Sequence, residues 1–177
     1  MLSPNFITER LLLRPTDLTD AVFVCELLNS AGWLRYIGDR GVRTVTDAEN
    51  YIRDRMLRQL HERGYSNFTA VRRSDGEKVG CCGIYHRPGI ALPDLGFAYL
   101  DAYTGRGYGY EAGARILRAA HEDFGLTELR AITTPENSAS RRLLEKLSFV
   151  DAGLETALYE GVDETMQLYT WELPKSF

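Results

Sequence analysis

Cysteine, lysine and long apolar runs are scarce in this chain. Its 177 residues hold three cysteines, Cys25, Cys81 and Cys82. No CxxC and no zinc-ligand spacing occurs among them, so neither a disulfide framework nor a bound metal is expected, and the three read as reduced core thiols. A chain of this length needs no such staple, since it buries roughly 70% of its unfolded surface. One domain spanning residues 1–177 is expected. No apolar run approaches the ~18 residues of a membrane span, and Met1-Leu2-Ser3-Pro4-Asn5 lacks the basic and apolar segments of a signal peptide. The expectation is a cytoplasmic protein without a membrane partner. The net charge is −4, which supplies no basic field for nucleic acid.

The charge that is present is uneven. Only 3 lysines accompany 18 arginines. Residues 1–100 carry 13 basic and 12 acidic side chains, residues 101–150 carry 7 and 7, and residues 151–177 carry 1 and 6. The whole acidic excess therefore lies at the C-terminal end.

Leu11-Leu12-Leu13, before Pro15, reads as a short strand. Leu18, Ala21, Val22, Cys25 and Leu28 recur at spacings of three and four and mark one face of a helix, which Gly32 closes. A connection with Gly38, Arg40, Gly41 and Arg43 follows. Thr46-Asp47-Ala48-Glu49 reads as a capping box. It opens a helix faced by Ala48, Tyr51, Ile52, Met56 and Leu60 and capped by Gly64. Phe68–Arg72 and Lys78–Tyr85 pair across the Ser74-Asp75-Gly76 turn, and Leu95–Leu100 extends the meander. Beyond it, Ala112, Ile116, Ala119, Ala120 and Phe124 face a helix that ends at Gly125. Leu129–Thr133 is a strand, and Pro135-Glu136-Asn137 opens a second helix with Ala139, Leu143 and Leu147 inward. Phe149–Gly153 and Met166–Leu173 are the last strands. This order predicts an α/β fold with a mixed sheet: an antiparallel meander with helices, then a βαβαββ half.

Gly105, Gly107 and Gly109 lie between a strand and an amphipathic helix. Glycines let backbone amides crowd around one point, and the unpaired amides of a helix N-terminus hold anions, most often phosphate. No Gly-Lys-Ser/Thr follows, so the turn is not a P-loop. Gly107–Ala112 fits the degenerate G-x-G-x-x-A fingerprint, but about 100 residues of helices and antiparallel strands precede it, and too few follow to build a nucleotide sheet. An NAD(P)-binding oxidoreductase stays a remote alternative.

Together these segments resemble the GNAT superfamily of acetyl-CoA-dependent N-acetyltransferases, and within it the branch of ribosomal-protein N-terminal acetyltransferases. Thr8–Arg14 resembles that branch's opening strand and Leu95–Leu100 its central strand. Gly105-Arg106-Gly107-Tyr108-Gly109-Tyr110-Glu111-Ala112 resembles its pyrophosphate loop. Pro135–Ser140 through Leu144–Phe149 resembles its second cofactor motif. Three positions depart from the pattern: Thr104 replaces Arg or Gln at the start of the loop, Leu144 replaces a Tyr hydroxyl, and Ser148 replaces Gly.

The resemblance implies transfer of an acetyl group from acetyl-CoA to a primary amine, of a protein N-terminus or a small molecule, by direct attack in a ternary complex. It implies that the amides of Thr104, Gly105, Arg106, Gly107, Tyr108 and Gly109 hold the phosphates. The backbone of Phe97, Ala98, Tyr99 and Leu100, where the central strand splays around a bulge, would polarise the thioester. Asn137 and Ser140 would contact the pantetheine arm or thiol, although an Asn there also suits a helix N-cap. Arg141 and Arg142 stand near the 3′-phosphate. An amine attacks only once deprotonated. Asp94, directly before the central strand, is the candidate base, with Glu111 and His86 behind it. Ser140, one turn before Leu144 on the same helix face, is the candidate acid for the thiolate, with Tyr108 and Tyr110 in reserve. An acetyl-cysteine on Cys81 or Cys82 is not required. The alternative from another class is a module that binds acetyl-CoA without transferring from it. Glu155, Glu160, Asp163 and Glu164 would lie beside the acceptor channel, where their charge would attract a cationic amine.

Overall fold

The computed structural model describes residues 4–87, 90–159 and 162–173. Short alternating runs form the strands. In β2 (Leu11–Pro15), which pairs with β1 (Phe6–Ile7), Leu11 and Leu13 are buried and Leu12 lies between them on the other face. The meander continues through β3 (Asn67–Arg72), β4 (Lys78–Tyr85) and β5 (Asp94–Tyr99). After β6 (Glu128–Thr133), β7 (Val150–Tyr159) and β8 (Val162–Glu172) form a hairpin, and the sheet order is β1-β2-β3-β4-β5-β6-β8-β7. Every pair is antiparallel except β5 with β6.

Strand β4, in the middle of the sheet, is covered on both faces. Cys82 and Ile84 join one core with Leu11, Phe68, Ile116 and Leu129. Cys81 joins a second core with Val24, Leu27, Ile52 and Met56. Adjacent cysteines thus point to opposite faces, as a strand requires. Helix α5 (Tyr108–Glu122) covers the first face, and α1 (Ala21–Leu28) with α3 (Val45–Tyr51) covers the second.

Several boundaries differ from the sequence expectations. The first helix ends at Leu28, and Gly32 lies inside a separate helix, α2 (Ala31–Tyr36), which Ser30 caps through its hydroxyl. The capping box of α3 is built two residues earlier than Thr46 and Glu49 suggest. The Thr44 hydroxyl accepts from the Asp47 amide, and the Asp47 carboxylate accepts from the Thr44 amide. A π-helical stretch, Ile52–Leu57, joins α3 to α4 (Arg58–Arg63), and Gly64 ends the run at φ +80. In α6 (Ser138–Lys146) Leu144 is buried and Ala139 is exposed, and the C-cap Leu147 is buried. The β7–β8 hairpin extends past Gly153 and begins before Met166, with Thr156 opposite Thr165.

One junction shapes the site. β5 and β6 pair at a single position, Asp94 with Arg130, and the Arg130 amide donates to Pro93 O at 3.0 Å. Beyond that point the strands diverge into a fork. The register of β5 with β4 runs unbroken from Asp94 to Tyr99, so the fork opens without the expected bulge in β5.

Candidate active site

Asp94 marks the vertex of the fork. It is 1% exposed, and its carboxylate accepts from Arg130 Nε at 2.9 Å and from Arg87 Nε. Arg130 also reaches Glu155, with Nη2 to Oε1 at 2.7 Å. Burial pushes the Asp94 carboxyl above the ordinary aspartate range, against the pull of the Arg87 and Arg130 guanidiniums. This network places charge inside the sheet where the strands part. Asp94 does not line the cleft, and both its oxygens accept from arginines.

The fork opens into a cleft of about 950 Å³ that runs from the glycine turn to α2 and the π stretch. Phe97, Ala98 and Tyr99 line it, whereas Leu100 does not. The Leu100 amide donates to Val79 O at 3.1 Å on β4. Amide direction alternates along a strand, so the amides of Phe97 and Tyr99 point into the fork.

At one end lies the cradle. Gly105 and Gly107 have φ of +71 and +83, a backbone that side chains resist. Gly107 is the N-cap of α5, whose first amides have no partner within the helix. Gly109 is needed for packing: a Cβ there would lie 2.8 Å from Leu143 Cδ2. Arg10 braces the turn from outside, donating from Nη1 to Arg106 O at 2.9 Å and from Nε to Glu111 Oε2 at 2.7 Å. Its guanidinium also lies 4.7 Å from the centre of the Tyr108 ring. Glu111 is thereby a brace. Burial raises its carboxyl, but hydrogen bonds from the Thr8 hydroxyl and from the Arg10 amide and guanidinium outweigh that and hold it below the usual range. Thr104 lines the cleft with its hydroxyl turned back to Asp101 O at 2.9 Å. Arg106 lies off the wall, near the Tyr103 ring.

Helix α6 supplies the adjoining wall. Asn137 caps it, its Oδ1 accepting from the Ser140 amide at 3.1 Å, and both residues line the cleft. Among the described residues the Ser140 hydroxyl has no hydrogen-bond partner. Arg142 and Lys146, four residues apart, line the same wall. Arg141 turns away, donating to the Tyr169 hydroxyl at 3.1 Å and lying 3.6 Å from Asp151. Leu144 is 1% exposed and offers no hydroxyl. The Lys146 side chain was missed in the sequence, although its i, i+4 spacing from Arg142 marks a shared face.

The other end is walled by Trp33, Tyr36, Tyr51, Tyr85, Arg40 and Arg55. The π stretch re-aims its helix, so that Tyr51, Arg55, Met56 and Gln59 all reach the cleft. Gln59 fastens this helix to the end of β4: its Nε2 donates to Ile84 O at 2.8 Å, and its Oε1 accepts from the His86 amide at 2.9 Å. The Tyr85 hydroxyl donates to Asn67 Oδ1, and burial raises its pKa well above the usual range. His86 lines the cleft with its Nδ1 buried and unpartnered among the described residues. Cys81 reaches the wall, but burial pushes its thiol up to about 12, and Cys82 lies off the wall with its thiol also raised by burial. Of the described acids among the four at the C-terminal end, Glu164 lines the cleft. Glu155 is engaged with Arg130, Asp163 is exposed on the alternate side of β8, and Glu160 lies outside the described residues. No cluster of three or more His, Cys, Asp or Glu side chains suited to a metal occurs among the described residues.

A forked mixed sheet with a glycine cradle at the head of a helix defines an acyl-transferase type of fold and site. The acetyltransferase (GNAT) domain matches residues 10–150, and the chain belongs to that family. It is 27% identical over 172 residues to an uncharacterized N-acetyltransferase of Bacillus licheniformis, covering 95% of this chain and 94% of that protein. A GNAT-family acetyltransferase structure from Bacillus anthracis superposes with a TM-score of 0.78 at 22% identity, over 96% of this chain and 98% of that one. RimL, a ribosomal-protein α-N acetyltransferase in complex with coenzyme A, superposes with a TM-score of 0.79 at 17% identity, over 98% of both chains. At these identities the structural likeness is one of fold.

Proposed function

We propose that the protein transfers an acetyl group from acetyl-CoA to a primary amine by direct attack in a ternary complex. The observation that carries this reading is the single cleft in which the glycine cradle, the open strand fork and an aromatic chamber follow one another. The donor supplies a thioester, an acyl group already activated toward an amine. The amides of residues 105–109 hold its pyrophosphate, the Thr104 amide being turned to Asp101 O at 3.3 Å, and Arg142 and Lys146 add charge for its phosphates. Asn137 flanks the pantetheine arm. The amides of Phe97 and Tyr99 donate to the thioester oxygen, where negative charge grows, and being fixed in a strand they need no reorganisation. The amine enters from the Trp33 and Tyr51 side. His86, whose side chain lines the wall, takes the amine proton, directly or through water. The Ser140 hydroxyl donates to the departing sulfur. Asp94 acts as a positioning residue that holds the vertex.

Free-thiol release on mixing the protein with acetyl-CoA and a broad set of amines and peptides tests this reading. Release above the protein-free rate supports it. A binding module that keeps the cradle without transferring is the second reading, because Leu144 offers no proton. It prevails if acetyl-CoA binds and no acceptor releases thiol.

A further inference from the structure

One arginine on the cleft wall has no acid of its own among the described residues. Arg40 lines the cleft, half-buried, from the loop between α2 and α3. Among the described residues it forms no ion pair and no hydrogen bond. Arg43, three residues on, pairs with Asp39, and elsewhere Arg14 pairs with Asp20, Arg87 with Asp94, and Arg130 with Asp94 and Glu155. Asp39, the acid closest in sequence, is fully engaged. It accepts from Arg43 and from the Gly41 amide at 2.8 Å, and these bonds lower its carboxyl to about 2. Glu164 lines the same cleft, an exposed carboxylate with no ion pair among the described residues.

The loop that carries Arg40 is held in shape. Trp33 Nε1 donates to Gly38 O at 3.0 Å, Gly38 and Gly41 both adopt positive φ, and the Asp39–Arg43 pair closes the far side. Arg40 is therefore presented by a fixed frame, which reduces the ordering cost of binding. A guanidinium drawn partly out of water gains most from a carboxylate, which it can grip through two parallel hydrogen bonds. Resting on the transfer reading above, we propose that the acceptor is a small amine that also carries a carboxylate, of the amino-acid type. Arg40 receives the carboxylate, and Glu164 faces the ammonium as it enters.

The test uses matched acceptors: amino acids, their C-terminal amides, the corresponding decarboxylated amines, and short peptides with neutral side chains. Thiol release is measured at saturating acetyl-CoA. The carboxylated member of each set should show kcat/KM at least about tenfold higher, as expected for a charge-assisted pair. Arg40→Ala should remove that preference by raising acceptor KM, leave the KM for acetyl-CoA unchanged, and be partly rescued by Arg40→Lys. Equal kcat/KM across each set, preference for the peptides, or an Arg40→Ala effect on acetyl-CoA in place of the acceptor overturns the proposal. Calorimetry of the same acceptors on protein saturated with coenzyme A separates the two readings. Carboxylate-selective binding without thiol release would sink transfer and keep only the carboxylate site at Arg40. Thiol release without selectivity would keep transfer and sink this inference.

Discussion

Asp94→Asn is the substitution with the most to say about the fork. It keeps the side chain's shape and removes the charge shared by Arg87 and Arg130. The amide nitrogen would face a guanidinium, donor against donor. Removing one partner of a buried ion pair costs about 3–5 kcal/mol. The low end applies here, because Arg130 keeps Glu155 and the Arg87 side chain is 30% exposed. At ~3 kcal/mol and a urea slope of ~2 kcal/mol/M, the midpoint of unfolding should fall by about 1.5 M. Thermal unfolding should fall by about 6–12 °C. Urea titration followed by the fluorescence of Trp33 and Trp171 reads the change. Because the network lies where β5 and β6 part, acetyl-CoA affinity should weaken in parallel under native conditions. Turnover should drop with the shape of the pH–rate profile unchanged. A midpoint within about 0.3 M of the parent would mean that the network does not hold the vertex. A lost limb in the pH–rate profile would return Asp94 to the role of base.

Gly107→Ala places a Cβ at φ +83, with Arg10 Nη2 3.2 Å away. An L-residue in that region costs ~1–2 kcal/mol, and calorimetry should show acetyl-CoA affinity reduced at least about tenfold as the cradle distorts. Glu111 has a carboxyl held below its ordinary pKa, so its contribution is present above pH 4.5 and is lost as pH falls through the lowered value. Acidification from about pH 6 to about pH 3 should therefore cost the parent more stability than Glu111→Gln, and parallel curves would refute the brace. Ser148 is the one non-glycine with positive φ among the described residues, at φ 68, where its amide bonds to Glu145 O and that of Phe149 to Leu144 O. This is a Schellman ending that favours glycine, and Ser148→Gly should raise stability by roughly 1 kcal/mol in urea titration.

Features set by local chemistry were legible in the chain. The limits of β4 follow from Lys78 and Tyr85 flanking an apolar run, and the cap of α6 follows from Asn137. The cradle shows in the spacing of its glycines, whereas the fork was expected only from the resemblance, with a bulge that β5 lacks. What escaped depends on tertiary contacts. The π stretch has no sequence mark, because Ile52 and Met56 satisfy the face of an ordinary helix equally well. The β7–β8 hairpin was underestimated because residues such as Asp151, Thr156 and Thr165 are exposed, and polar alternation does not mark a strand beyond the edge of the core. Asp94 stood out as an acid before a strand, but only the fold brings Arg130, 36 residues away, beneath it. Arg141 and Arg142 are indistinguishable as neighbours, until the position of Tyr169 draws one away from the cleft.

The claim on which the rest depends is that the cradle at the head of α5 holds the phosphates of acetyl-CoA. Calorimetric titration of acetyl-CoA into the purified protein tests it most directly. One site per chain with a dissociation constant below about 1 mM, weakening with added salt and at least tenfold weaker in Gly107→Ala, is the predicted result. No heat of binding at millimolar acetyl-CoA, or equal affinity in the variant, would contradict it.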